Sequence, residues 1–289
     1  MDLSARRQPP TVRLRRLAAE LRGLRTAASL TREEVSEQTN INSATLYRIE
    51  TAKVRPQRRT LLALLDKYGV TDETRRNELI DLSKQATQLG WLQAFESELP
   101  DEYTAYISFE AEACGVRNYE CLFVPGLLQT EDYARAVIAG AVPIADDGYV
   151  ERRVEARLKR QASLQKDDPL NLWAIMDEAV LHRMVGGTKV MVEQLTALAN
   201  ASKQPHIVVQ VVPFSVGAHP GMPGSFAIMD FPETADPDLV YIDSMAGELF
   251  LERDADVRRF TVIFEHLRAA ALSPVDSARL IREVADRMK

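Results

Sequence analysis

A short stretch of the chain, residues 43–51, combines small polar, aromatic and cationic residues around two apolar ones. Leu46 and Ile49 have helical spacing, so they predict a helix with one buried side. The opposite side presents Ser43, Ala44, Tyr47 and Arg48 to solvent. Because the DNA major groove is about 12 Å wide and admits one helix, a polar helix face of this kind is suited to contact bases there. The alternative is a helical module that binds another protein.

Metal-binding and catalytic patterns are the other chemistry that the sequence allows. The histidines and cysteines are His182, His206, His219, His266, Cys114 and Cys121. None of them has metal-ligand spacing to another, so we expect no metal. There is no G-x-S-x-G motif, and the glycine turns at 185–188 and 221–224 match neither the P-loop nor the dinucleotide pattern. We therefore expect no enzyme and no cofactor, an expectation that clustering of Asp177, Glu178 and His182 around a deep pocket would reverse.

A loop at residues 215–225 contains three glycines and two prolines between two apolar runs. Two interpretations are open: a long connection between strands, which we favour, or a binding loop. Asp177 and Glu178 lie where a strand is expected to enter a helix, and acidic residues in a helix's first turn are stabilising in any case.

Neighbouring elements must hold the polar helix in place. Residues 12–28 repeat apolar side chains at helical spacing and carry arginines on the other face, which predicts an amphipathic helix. Thr31, followed three residues later by Glu34, forms a capping box that begins a second helix. Asn40 tolerates the left-handed backbone of a tight turn, and Asn42 caps the helix that follows. Downstream, the sequence predicts a basic turn and one more helix, at 53–56 and 57–67.

The charge is divided unevenly along the chain. Residues 1–70 contain 14 Lys and Arg and 7 Asp and Glu, a net charge of +7, whereas residues 71–289 contain 22 and 35, a net charge of −13. The basic part indicates a polyanionic partner for that part alone. No apolar run is long enough to span a bilayer, and we expect a cytoplasmic protein. Cys114 and Cys121 could form a disulfide, but in a reducing compartment we favour two buried thiols.

The rest of the chain alternates helix-like and strand-like stretches. Residues 72–113 predict helix, with Thr71 as the cap. Apolar, often β-branched runs predict strands at 119–124, 170–176, 207–212, 226–231 and 239–243. Helices between and after these runs indicate an α+β domain, a mixed sheet with packed helices. The predicted division is a DNA-binding head at 1–70, a helical linker at 71–105, and an α/β regulatory, partner-binding or dimerisation domain at 106–289.

The first part resembles the XRE-type, lambda-repressor-like helix-turn-helix domains over about residues 14–68. The resemblance rests on LTREEVSEQTNINSATLYRIETAKVRP, where a Thr-initiated second helix, a turn of small residues and an R-I-E ending follow in the family's order. It implies an all-α helix-turn-helix head that binds double-stranded DNA. By this match the base-facing residues are Ser43, Ala44, Tyr47 and Arg48. The phosphate-facing residues are Arg32, Thr45, Lys53 and Arg55. Glu50 is expected to cap or pair within the domain instead of contacting DNA.

Three residues depart from that family's pattern, which usually has glycine where this chain has Ser29, Asn40 and Ala52. In a left-handed conformation asparagine costs little, whereas serine and alanine cost about 1 kcal/mol each. We expect the fold to survive and the turn geometry at Ser29 and Ala52 to differ.

About residues 106–285 resemble a domain fused to XRE heads in many actinobacterial regulators and long classed as a domain of unknown function. Five phrases carry the resemblance in order: VPGLLQTEDYARAV, ERRVEARLKRQ, LWAIMDEAVLHRMVGG, VQVVPFSVGAHPGMPGSFAIMDF and LFLERD. That family is described as antitoxin-like. The resemblance implies a protein partner, a small protein encoded by a neighbouring gene.

Two functions are therefore expected. The first is a sequence-specific transcriptional regulator whose C-terminal domain senses an unidentified small-molecule ligand or binds a partner protein. Because one helix-turn-helix buries too little surface for tight specific binding, a homodimer on a two-part DNA site is expected with it. The second is an antitoxin-like interaction module that neutralises a small partner protein.

Overall fold

The computed structural model describes residues 11–86, 91–95, 99–141, 147–232, 236–245 and 247–289. The chain divides into two compact units, residues 1–109 and 110–289. Within the described ranges, no helix is both long enough and apolar enough to cross a membrane.

The first unit is helical. Its main helices are α1 (Val12–Ala27), α2 (Arg32–Thr39), α3 (Ser43–Glu50), α4 (Arg58–Lys67) and α5 (Glu73–Gln85). A 3₁₀ turn, Leu92–Phe95, and helix α6, Asp101–Glu112, follow. Leu17, Leu46 and Leu64 lie in one apolar core that also contains Leu79 and Ile80 of α5. Helix α5 thus packs with the four helices before it, while the predicted division at residues 70 and 105 stays a prediction.

Side-chain caps fix where these helices begin. Thr31 and Glu34 form the predicted capping box: Glu34 N donates to Thr31 Oγ1 at 3.2 Å and Thr31 N donates to Glu34 Oε2 at 2.8 Å. Helix α5 is capped by Asp72, not by Thr71 as predicted. The reason is that a carboxylate offers two acceptor oxygens. The two oxygens of Asp72 accept from Thr74 N and Arg75 N, two successive backbone amides of the first turn.

The three turns with non-glycine residues keep a left-handed backbone. Ser29, Asn40 and Ala52 have φ values of 56°, 56° and 55°. The expectation of a different geometry at Ser29 and Ala52 is therefore wrong. Backbone hydrogen bonds hold two of these turns. At the end of α1, Leu30 N donates to Arg25 O at 3.1 Å, and at the end of α3, Lys53 N donates to Arg48 O at 2.8 Å.

The second unit is built on a six-stranded mixed sheet of order β3-β2-β1-β4-β5-β6. Its strands are β1 (Gly115–Glu120), β2 (Asn171–Asp177), β3 (Ile207–Val212), β4 (Phe226–Asp230), β5 (Leu239–Ser244) and β6 (Gly247–Leu251). Strands β1, β2 and β3 are parallel, whereas β4, β5 and β6 pair antiparallel. The packed helices are α7 (Glu131–Ala141), α8 (Asp147–Gln161), α9 (Ala179–His182), α10 (Thr188–Ala201), α11 (Asp254–Ala270) and α12 (Pro274–Arg287). This sheet with packed helices, which follows a helical first unit along the chain, confirms the predicted fold class.

Three details of the second unit differ from prediction. Strand β1 covers Gly115–Glu120, whereas a strand over 119–124 was expected. The first half of β1 was not predicted because polar Arg117 and Asn118 interrupt its apolar pattern. Arg117 nevertheless pairs with Asp230 of β4 at 2.6 Å. Strand β6 was not predicted. Both cysteines are free thiols, but neither is buried as predicted: Cys114 is exposed and Cys121 is half-buried.

Candidate nucleic-acid interface

Helix α3 is placed by its caps and its two buried side chains. Asn40 supplies the left-handed turn after α2, and the Asn42 side chain accepts from Ala44 N at 2.8 Å to begin α3. Leu46 and Ile49 are fully buried in the helical core. The opposite side of α3 therefore faces outward along its full length.

The four residues predicted to face bases share this outer side. Ala44, Tyr47 and Arg48 are exposed and Ser43 is half-buried. Their contact with bases stays a prediction. Arg48, in the last turn of α3, supplies the one cationic group among the four.

A buried carboxylate ties α3 to the two preceding helices. Glu50, at the end of α3, is 3% exposed and binds two arginines. Arg25 of α1 donates from Nε to Oε1 at 2.6 Å and from Nη2 to Oε2 at 3.1 Å. Arg32 of α2 donates from Nε to Oε2 at 2.8 Å. The prediction that Glu50 pairs within the domain is confirmed, and this Glu50 cluster fixes the angle of α3.

The Arg25 guanidinium has a second partner besides Glu50. Its Nη1 donates to Leu30 O at 2.7 Å, beside the left-handed turn at Ser29. The hydrogen bond to Glu50, more than any other contact, raises the pKa of Arg25. Nearby, burial and then the charge of Glu50 raise the pKa of Tyr68 to about 12, so this phenol stays neutral.

Two predicted phosphate-facing cations flank the Tyr47 ring. The Arg32 guanidinium lies 5.4 Å from the ring centroid and Lys53 Nζ lies 5.1 Å from it. Such cation–π contacts order an aromatic ring that is otherwise 45% exposed. The structure thus brings together Tyr47 from the predicted base-facing set and Arg32 and Lys53 from the phosphate-facing set.

The remaining predicted phosphate contacts lie on the surface. Thr45 and Arg55 are exposed. Arg55 Nη1 is 3.4 Å from Ser83 O of α5, a long hydrogen bond that leaves the guanidinium at the surface. Their contact with phosphate also stays a prediction.

In the second unit, the carboxyl ends of β2 and β3 gather the acidic and histidine residues singled out above. Asp177 Oδ2 lies 3.2 Å from His219 Nε2, and Glu178 Oε1 lies 3.4 Å from His182 Nε2. Glu178 Oε2 also accepts from Phe214 N at 2.7 Å. The sequence did not show the partnership with His219, because 42 residues separate it from Asp177.

These contacts fasten the 215–225 loop across the ends of the parallel strands. Gly221 packs on the buried Tyr119 ring so closely that a Cβ atom there would lie 2.5 Å from it. Gly221, one of the three glycines of the loop, thus has a packing reason for lacking a side chain. Among the described residues, no group of three or more His, Cys, Asp or Glu side chains has a metal-binding arrangement.

A titratable carboxyl lies at the end of β1. Burial raises the pKa of Glu120 to about 7, although hydrogen bonds from Ser225 and Asn118 oppose the shift. Asn118 Nδ2 lies 3.4 Å from Glu120 Oε1.

Comparison with known protein families finds two matches. Residues 16–79 match a helix-turn-helix domain, and residues 103–283 match a domain of unknown function, DUF5753. No curated protein and no solved structure matches the chain. The first match suggests a DNA-binding regulator. Neither match bears on the actinobacterial origin, the XRE assignment or the antitoxin-like role, which stay predictions.

Proposed function

The chain belongs to the DUF5753 family, with a helix-turn-helix domain ahead of that domain, and we propose that it is a sequence-specific DNA-binding transcriptional regulator. The observation that carries the proposal is the outer side of α3. It exposes Tyr47 and Arg48 next to Lys53, on a helix whose inner side is fully buried.

The fixed orientation of α3 supports readout of sequence. A helix must hold its side chains in one register to discriminate bases, since each base contact depends on hydrogen-bond geometry. The Glu50 cluster joins α3 to α1 and α2, and the cations of Arg32 and Lys53 steady Tyr47. In this proposal Arg48 contacts a base and Arg55 contacts phosphate.

The second unit regulates the first in this proposal, as a domain that binds a ligand or a partner and joins two chains. Two chains place two α3 helices on successive major grooves of one site. We propose no enzyme activity, and we assign structural roles to both carboxylates: Asp177 contacts His219 of the 215–225 loop and accepts from Ala179 N, and Glu178 accepts from Phe214 N just before that loop.

Selection from a pool of random DNA duplexes at low salt tests the proposal. The full chain is expected to enrich one motif with two related halves. Retention of DNA without any enriched motif would refute sequence-specific reading, because phosphate contacts alone retain all sequences equally.

A partner-binding role for the second unit is supported by exposed apolar side chains near the 215–225 loop. Phe214 is 59% exposed and Met222 is 65% exposed, with Leu122, Met184 and Val216 also at the surface. Exposed apolar groups that follow neighbouring strands are typical of binding surfaces.

Copurification of the full chain from its native cell tests this second role. We expect one small protein to copurify, and Phe214→Ser with Met222→Ser to release it. Val275→Ser, at an exposed apolar residue of α12, is the control. Equal release by the control variant would contradict a partner site at this loop.

A further inference from the structure

The two ends of the sheet in the second unit are finished differently. Strand β3 ends the sheet on one side, and its Val211 is covered by the segment before α12 and by α12. Val211 O accepts from Leu272 N at 2.9 Å, and Val211 N donates to Ser277 Oγ at 3.0 Å. Backbone groups on that edge are thus engaged by the chain itself.

Strand β6 ends the sheet on the other side. It pairs along its whole length with β5, from Val240 opposite Leu251 to Ser244 opposite Gly247, and has no second strand neighbour within the described ranges. Its sequence, GELFL, contains no proline or lysine to blunt the edge, and Glu248 is its one charged residue. Leu249, at the centre of β6, is 52% exposed although it lies in a sheet.

We infer that β6 is the dimerisation surface and that its occupant is β6 of a second copy of this chain. Two identical strands that pair antiparallel are related by a two-fold axis, so one edge satisfies both chains. The pairing joins the six-stranded sheets of the two chains into one continuous sheet across the dimer. The inference rests on the proposed function in one respect: a two-part DNA site calls for a second copy.

Symmetry and charge select one register. A two-fold axis through an antiparallel pair places one residue opposite itself, and only Leu249 in that position lets all five residues of β6 pair. A shift of one residue toward the C-terminus places Glu248 opposite Glu252 of the other chain. The same shift toward the N-terminus places Glu248 opposite itself. Like charges directly opposite are destabilising, so both shifted registers are disfavoured.

The register predicts which thiols can form a disulfide. Directly opposed residues of antiparallel strands have Cα atoms about 4.5–5.5 Å apart, within the range of about 4.4–6.8 Å for disulfides. Leu249→Cys therefore crosslinks to itself. Met245→Cys is the matched control: Met245 is fully exposed, yet its two copies lie eight residues apart along the strand direction, roughly 27 Å.

The experiment oxidises full chains that carry Cys114→Ser, Cys121→Ser and one of these new cysteines. At about 10 µM protein, Leu249→Cys is expected to form a covalent dimer about a hundredfold faster than Met245→Cys, because paired thiols have an effective concentration on the order of millimolar. Equal crosslinking rates would overturn the inference, since the Leu249→Cys thiols would then meet only by random collision, as the Met245→Cys thiols do.

A second measurement covers variants that disturb the hairpin. Sedimentation velocity of Leu249→Lys is expected to show monomers where the wild type shows dimers, with unchanged circular dichroism; Val275→Lys is expected to stay dimeric. A monomeric wild type would overturn the inference. Neither readout involves DNA, so a failed DNA selection with intact crosslinking refutes the proposed function alone, and the reverse result refutes the β6 surface alone.

Discussion

Substitution of Glu50 by alanine tests the idea that one buried carboxylate orients α3. The substitution removes three hydrogen bonds and leaves the guanidinium groups of Arg25 and Arg32 beside a core without their counter-ion. Breaking a buried ion pair by removing one partner costs about 3–5 kcal/mol. In the folded protein the Arg25 side chain is 14% exposed and the Arg32 side chain is 32% exposed, so water partly solvates both after the substitution. We therefore expect the free energy of unfolding of the first unit to fall by about 2–3 kcal/mol, at or just below the lower end of that range.

Hydrogen exchange of the full chain measures this loss where it occurs. Backbone amides of α3 that exchange by unfolding of the first unit are expected to exchange roughly 30 to 150 times faster in Glu50→Ala, the equivalent of that free energy. Amides of the second unit are expected to keep the wild-type rate. Glu37→Ala, at an exposed glutamate of α2, is the matched control and is expected to change α3 exchange little. Equal protection of α3 in both variants would refute an orienting role for Glu50.

Three further predictions concern backbone strain, pH and salt. Ser29→Gly is expected to raise the free energy of chemical unfolding by about 1 kcal/mol by relieving a left-handed serine, whereas Ala52→Gly is expected to be near neutral because it also removes a buried methyl group; equal gains would contradict this. Because the folded state raises the pKa of Glu120 from 4.5 to about 7, its contribution to stability is present below pH 4.5 and is lost as pH rises to about 7. Glu120→Gln is thus expected to raise the free energy of unfolding at pH 8 by about 1–3 kcal/mol and to change it little at pH 4.5; a constant difference across pH would exclude this titration. Arg55→Ala is expected to reduce the slope of log affinity for DNA against log salt by about 0.9, the value for one phosphate contact, and an unchanged slope would remove Arg55 from the phosphate-facing set.

The helices of the first unit were predictable because their signals are local. The Thr31 capping box, the Asn42 cap and the spacing of Leu46 and Ile49 each lie within a few residues of the element that they define. The internal role of Glu50 was predictable as well, but its partners were not. Arg25 and Arg32 are 25 and 18 residues away, and only the packing of three helices brings them together.

Long-range pairing explains what the sequence did not reveal in the second unit. Strand β6 is short and begins with glycine, so its pattern alone does not distinguish it from a loop. The pairing of Asp177 with His219 depends on a loop that returns across the parallel strands. The left-handed turns at Ser29 and Ala52 show the opposite case, in which local preference opposed the geometry and hydrogen bonds at the helix ends prevailed.

The central claim is that the outer side of α3 reads DNA sequence, and parallel selections on random duplexes test it most directly. The wild type, Arg48→Ala and Arg22→Ala are compared, the last at an exposed arginine of α1. Arg48→Ala is expected to relax the motif at one position in each half, with a loss of about 1–3 kcal/mol for the wild-type site. Arg22→Ala is expected to keep the motif unchanged. An identical motif from wild type and Arg48→Ala, at equal affinity, would contradict the account.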